Sequence, residues 1–451
     1  MRYFKKTFIW VIILVAFAGY SYIDFESTRL NEVEKEQATR LLPFDTSEIL
    51  SVTIKKEGRI LELERWEEGW KIIAPIKAKA DSETVEKFLG HMTESKNDSE
   101  YVMETDPTPE RLVEFGLAKP TLYVTLKAGK ELASHTIVFG DRAPTMGVAF
   151  AQLEGDKSIY RVNADAKAEA DKDVYYFRDK SVLRLNPVML DQFVIKRPEG
   201  SIRLKLPENG RWVLEKPIRA RADHKRVFNV MTAFANAEVK EFIAETKKDI
   251  QTYGLDKPQT ELFFWQSGDA KPTVRIQVGN RSPEKRGYFV TMSDRDNIFV
   301  LGEDIINAIP RHANDLRSRE LFFFDKDRLK RIEIRERKKS IVLVKDKNKD
   351  WRRNNVSGEL VDFNLVKEFL DEIVDAKIED FIAGGVKDFG QYGLETAKIK
   401  LLLWPEKSAV PLSLNIGKKT PMGKHVYASI GGQNEVLEVN NRIETVLKSY
   451  F

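Results

Sequence analysis

The chain has 451 residues, 42% hydrophobic and 32% charged, a composition of folded material with a well-solvated surface, and its length suits about three domains. Its 74 basic and 70 acidic residues nearly cancel and are interspersed throughout, which argues against the one-signed stripe of a nucleic-acid-binding surface. Cysteine is absent, so disulfides, thiolate metal sites, cysteine nucleophiles and cysteine lipidation are excluded.

Residues 1–6 carry Arg2, Lys5 and Lys6 ahead of an uncharged, mostly apolar run, residues 7–23, which begins at Thr7 and ends at Ile23. Its length is at the short end of what spans a bilayer as a helix. The bases before it, with Asp24 and Glu26 after it, orient the short end in the cytoplasm and the bulk of the chain outside. A cleaved signal peptide is the rival reading, since Ala16 and Ala18 have the spacing of a cleavage site. The apolar run continues past them without a polar break, which favours a retained anchor in the cytoplasmic membrane. Residues 24–46 are charged and helix-prone and read as a stalk.

Three tryptophans, Trp70, Trp212 and Trp351, stand 142 and 139 residues apart, and each opens the same series of landmarks, as in a repeat protein. Pro75 and Pro217 follow the first two, with Val356 in the third copy; Asp81, Asp223 and Asp362 follow all three. Behind each aspartate comes one apolar face: Val85, Phe88, Leu89 and Met92, then Val227, Val230, Met231 and Phe234, then Val366, Phe369, Leu370 and Ile373. That spacing predicts an amphipathic helix in each copy, with the aspartate capping its first turn.

Further on, "EFGLAKP", "TYGLDKP" and "QYGLETA" each close a second short helical stretch, at Gly116, Gly254 and Gly393, where glycine supplies a left-handed backbone. Strand-like runs follow, and among them "VFGDRAP", "QVGNRSP" and "NIGKKTP". These keep Gly140, Gly279 and Gly417, and Pro144, Pro283 and Pro421, while the residues between drift from Asp-Arg to Lys-Lys. The drift speaks against a catalytic loop and for a strand-to-strand turn, with glycine for unusual backbone angles and proline to fix the exit. With a strand pair ahead of each tryptophan, the unit reads as two strands, helix, short helix, a run of strands and a terminal helix. The fold class is α+β: three tandem similar domains, each a mostly antiparallel sheet with helices on one face. The expected boundaries are 47–186, 187–325 and 326–451, the third copy divergent and truncated. The junctions "RDKSVLRLNPVML" and "LRSRELFFFDKDRL" are short and apolar, as for domains docked end to end in a stiff rod.

Chemistry is harder to find. No Walker loop and no Gly-x-Ser-x-Gly elbow is present, and His91, His135, His224, His312 and His425 show no metal-ligand spacing. The three anchoring tryptophans suit the core, whereas Trp265 and Trp404 share a position where the first copy has Lys127, which suits a partly exposed contact site. Arg142, Arg281 and Lys419 form a recurrent cation in the glycine-proline motif, placed for an ion pair or a partner contact. No catalytic, cofactor or metal site is expected.

Taken together, Trp70, Pro75, Ala80, Asp81, Gly116, Leu117 and Pro120, with Trp212, Pro217, Ala222, Asp223, Tyr253, Gly254, Leu255 and Pro258, resemble the bacterial DUF-4340 family. The third copy departs from the pattern at Val356, Val361 and Ala397. The resemblance implies association with gliding-type ABC transporters, and hence an accessory or scaffold role with transporter subunits as partners, and it carries no catalytic residues. The leading expectation is a membrane-anchored extracytoplasmic repeat protein that binds protein partners. A glycan-binding module using Trp265 and Trp404, and an envelope hydrolase built from dispersed carboxylates, are the alternatives.

Overall fold

Alternating apolar residues make the opening hairpin of the first sheet, β1 (Ile49–Lys56) and β2 (Arg59–Trp66). The turn residues Glu57 and Gly58 both have positive φ, the backbone of the tight turns whose twist matches that of two antiparallel strands. In this computed structural model the described residues are 21–22, 41–42, 44–93, 102–129, 132–144, 147–208, 210–337, 339–354 and 358–449. The expected anchor, residues 7–23, lies outside them apart from Ser21 and Tyr22. Among the described residues no helix is long and apolar enough to cross a membrane.

The first sheet continues through β3 (Gly69–Ala74), β4 (Ala78–Lys79), β5 (Val102–Glu104), β6 (Leu122–Ala128), β7 (Ala133–Arg142), β8 (Val148–Leu153) and β9 (Ile159–Asn163). Its order is β4-β3-β2-β1-β6-β7-β8-β9-β5, and every pairing is antiparallel. The second sheet repeats that order with β10 (Leu190–Arg197), β11 (Gly200–Lys205), β12 (Val213–Lys216), β13 (Ala220–Arg221), β14 (Glu241–Ala244), β15 (Thr260–Gln266), β16 (Val274–Ser282), β17 (Gly287–Met292) and β18 (Ile298–Gly302). The third has eight strands, β19 (Leu329–Glu336), β20 (Lys339–Lys345), β21 (Trp351–Arg353), β22 (Ile378–Gly384), β23 (Ile399–Pro405), β24 (Leu412–Lys419), β25 (His425–Ile430) and β26 (Glu435–Asn440). In place of a β4 or β13 strand it has a single antiparallel bridge between Arg352 and Leu360, at the matching positions. The chain divides into two compact units, one ending at Ser181 and holding the first sheet, the other beginning at Val182 and holding the second and third.

Each sheet carries its expected helix, Ser82–Thr93, His224–Ala235 or Phe363–Asp375, and the apolar face read from the spacing is buried in all three. Burying each such side chain is worth about 1.5–3 kcal/mol. The capping aspartates stand where expected: Asp81 accepts from the Thr84 N–H at 3.2 Å, Asp223 from Arg226 at 3.1 Å and Asp362 from Asn364 at 2.8 Å. Trp70, Trp212 and Trp351 are core residues, and the Trp70 indole donates to Glu86 at 2.8 Å. The Ala74–Pro75 and Lys216–Pro217 peptide bonds are cis.

Four expectations need correction. Leu41, Leu42 and Phe44, assigned to the stalk, are buried in the first core because they meet its apolar face. The second helical stretch is a helix only in the first copy, Pro109–Glu114, and a short 3-10 turn in the third, Gly390–Tyr392; in the second it is a run of turns. Nor do the helices share one face. Ala149 and Ala151 of β8 join the main core, while Phe150 between them joins Phe115, Leu117 and Ile159 in a separate cluster. Successive strand residues point to opposite faces, so the Pro109–Glu114 helix and its Gly-Leu turn close the reverse face. Fourth, each copy has an unexpected short strand, β5, β14 or β22, which crosses to pair with the last strand of its sheet.

Candidate functional site: the cleft between the second and third repeats

The glycine-proline motif is a structural joint, and its glycines serve a different purpose from the one expected. Gly140, Gly279 and Gly417 lie inside β7, β16 and β24, at register shifts between Phe139 and Arg142, Val278 and Arg281, and Ile416 and Lys419. They are absent from the positive-φ residues; Gly116, Gly254 and Gly393 hold that conformation, at 70°, 66° and 69°. A Cβ on Gly140 would press deep into the Phe115 carbonyl oxygen and stand 2.8 Å from Leu117 Cγ. Gly279 meets the Tyr253 carbonyl and Gly417 the Tyr392 carbonyl in the same way. The Asp141 and Asn280 N–H groups donate to the Phe115 and Tyr253 carbonyls, each at 2.8 Å. The bulge and the Gly-Leu turn are thus two halves of one contact, and glycine is needed for close backbone approach. The Pro144, Pro283 and Pro421 positions begin the turns that follow.

The recurrent cations point outward. Arg281 pairs with Glu303 at 2.7 Å, whereas Arg142 and Lys419 are exposed and have no ion pair among the described residues. Trp265 and Trp404 are half-buried, each on the face of its sheet away from the helix. The Arg331 guanidinium lies 4.8 Å over the Trp404 ring and donates to Glu333 at 2.7 Å. Trp265 sits 6.2 Å from Phe263. His91 and Tyr176 both hydrogen-bond Glu169, at 2.8 and 3.1 Å, and this cluster ties the Ser82–Thr93 helix to the Ala164–Ala170 helix. Burial and the Glu169 charge push the Tyr176 phenol up to about 12.

Where the second repeat passes to the third, the chain from Arg317 to Glu320 runs between two sheet edges. Arg317 bridges to Ala222 beside β13, and Glu320 bridges to Lys377 just before β22. Ser318 N–H donates to the Arg221 carbonyl at 2.9 Å and Ile378 N–H to the Arg319 carbonyl at 2.8 Å. Arg317 is 8% exposed, grips Glu435 with both terminal nitrogens at 2.6 and 2.7 Å, and stacks 3.7 Å over Phe381. Such a bidentate, buried ion pair fixes orientation, and removing one partner leaves an uncompensated charge.

Beside this clamp lie two hollows of about 630 and 770 Å³ that share Arg221, Ser318 and Glu320. With Arg317 held by Glu435 and Asp223 capping its helix, the remaining charges are lopsided. Arg211, Arg219, Arg221, Lys225, Arg319 and Lys377 line the hollows together with the acids Glu320 and Asp223, the latter shared with Arg226 at 3.5 Å. Burial lowers the pKa of the Arg221 guanidinium, as does neighbouring Arg211, against the opposing field of Glu320. The Nε atoms of Arg317 and Arg319 are buried and have no acceptor among the described residues.

This cleft was missed in the sequence reading, although a signal was present. "IKAKAD" and "IRARAD" place Lys77 and Lys79, and then Arg219 and Arg221, at matching positions, while the third copy has Gly358 and Leu360 there. Arg178 and Arg317 likewise stand first and second in the two quoted junctions, and both are buried.

Comparison with curated proteins and with solved structures gave no match. Comparison with protein families matched one description, "Domain of unknown function (DUF4340)", three times, over residues 70–247, 212–388 and 351–451. Each match begins at an anchoring tryptophan, and the second runs across the junction to residue 388, past the end of β22 at Gly384. The chain belongs to the DUF4340 family, with three successive matches to its domain.

Proposed function

We propose that this protein is a non-catalytic accessory or scaffold subunit, anchored in a bacterial cytoplasmic membrane by residues 7–23, with its repeats outside and its partners among the subunits of an ABC-transporter-linked envelope assembly. The observation that carries the scaffold reading is where the recurrent residues go. Tryptophans, capping aspartates, Gly-Leu turns and bulge glycines are engaged in packing within each repeat. Between the second and third repeats, by contrast, lies a solvent-facing cleft lined mostly by basic side chains. Docked repeats commonly present their binding surfaces across such joints. The glycan-binding alternative is disfavoured by Trp404, whose ring already carries Arg331.

Purification of the full chain from detergent-solubilised membranes tests this reading. Transporter subunits should copurify, and a reporter fused after Phe451 should be active only outside the cytoplasm. A preparation with no membrane partner, or a reporter active only in the cytoplasm, would contradict it.

A further inference from the structure

We infer that the cleft between the second and third repeats binds an acidic, extended polypeptide segment of a partner protein. This deepens the scaffold reading and rests on it. Three features converge. The first is charge: Arg219, Arg221, Lys225, Arg319 and Lys377 line the hollows against Glu320 and the helix-capping Asp223, an excess of positive charge that favours an anionic ligand and repels an approaching cation.

The second is donors. Arg219 and Lys225 are exposed, line the hollows and have no ion pair among the described residues, so both are open to a carboxylate. The third is an open strand edge. β22 is the end strand of its sheet, and the Arg317–Glu320 segment covers only its beginning, through Ile378. Residues 380–384 have no strand on their outer side among the described residues, and Gly384 and Gly385 line the hollow without a side chain to block it. A polypeptide can add its own main-chain hydrogen bonds to such an edge. A sugar polymer would need open aromatic faces, and here Arg317 covers Phe381 while Arg211 lies 3.5 Å over Phe323.

Neither Arg219 nor Arg221 belongs to a hydrophobic core, and the Arg221 side chain spans the junction by donating to the Glu320 carbonyl at 3.1 Å, so reversing both charges leaves the core intact while thermal melting reports any loss at the junction. A fluorescein-labelled oligo-glutamate peptide titrated with the detergent-solubilised full chain should bind, and binding should weaken as salt is raised. The Arg219→Glu/Arg221→Glu variant, with unchanged thermal melting, should bind at least about tenfold more weakly. The Lys271→Glu variant, altered on the exposed β15–β16 loop, should bind as the parent does. No binding, or equal binding by the doubly reversed variant, would overturn the inference. So would polygalacturonate binding that depends on Arg219 and Arg221 while the peptide fails to bind. If oligo-glutamate binds as expected but no transporter subunit copurifies, the assembly reading falls and this one stands.

Discussion

At the scale of single residues, the glycines separate by what surrounds them. Gly140 sits against the Phe115 carbonyl and Leu117, so a methyl group there forces the bulge away from the Gly-Leu turn. Gly90 lies within the Ser82–Thr93 helix with nothing within 4 Å of its would-be Cβ. Gly140→Ala should therefore destabilise the protein by about 1–3 kcal/mol, as overpacking does. Gly90→Ala should stabilise it by about 0.5–1 kcal/mol by stiffening the unfolded helix segment. Denaturant unfolding of the two variants checks both signs. The recurrence of Gly140, Gly279 and Gly417 was legible in the sequence, but its cause was not. The carbonyl each one meets belongs to a turn more than twenty residues earlier, and no local pattern records that approach.

At the scale of elements, three buried glutamates are each held by two basic side chains, on neighbouring elements or on the same strand. Glu261 of β15 is held by Arg275 of β16 and Lys196 of β10, Glu333 by Arg331 and Arg335 on its own strand, and Glu444 by Lys398 and Lys448. Burial alone would raise each carboxyl, but the hydrogen bonds and charges of its partners outweigh it and hold each below the ordinary 4.5. With the folded pKa depressed, the stabilisation is fully present above 4.5. It is lost as pH falls from there through the lower folded value, because the unfolded chain takes up these protons first. Melting temperature should fall on acidification in that window, and the fall should be shallower in Glu261→Gln, which has no carboxylate to lose at that position. An equal slope in parent and variant would remove Glu261 from the account. The amphipathic helices and their caps were readable because each is a pattern within one element. The crossing strands β5, β14 and β22 were not, since three to seven residues beside a distant edge strand leave no periodic signal.

At the scale of the whole molecule, repetition was the readable feature and junction chemistry the hidden one. Three tryptophans at near-equal spacing revealed three sheets, but the ligand-facing charge arises where two of those sheets share one short segment. Arg317 belongs in sequence to the second repeat and in contact to the third, through Glu435 and Phe381, and a pairing across 118 positions is invisible to a reading made copy by copy. Trp265 and Trp404 stand on sheet faces away from the helices, outside the residues that line the cleft. The central claim is that partners are met at the repeat junction. Its most direct test is site-specific photo-crosslinking in living cells, with a photoreactive phenylalanine replacing Arg219 in one strain and Trp265 in another. Covalent adducts with a membrane protein, identified by mass spectrometry, should form from position 219 and not from position 265. Adducts from position 265 with none from position 219 would contradict the account.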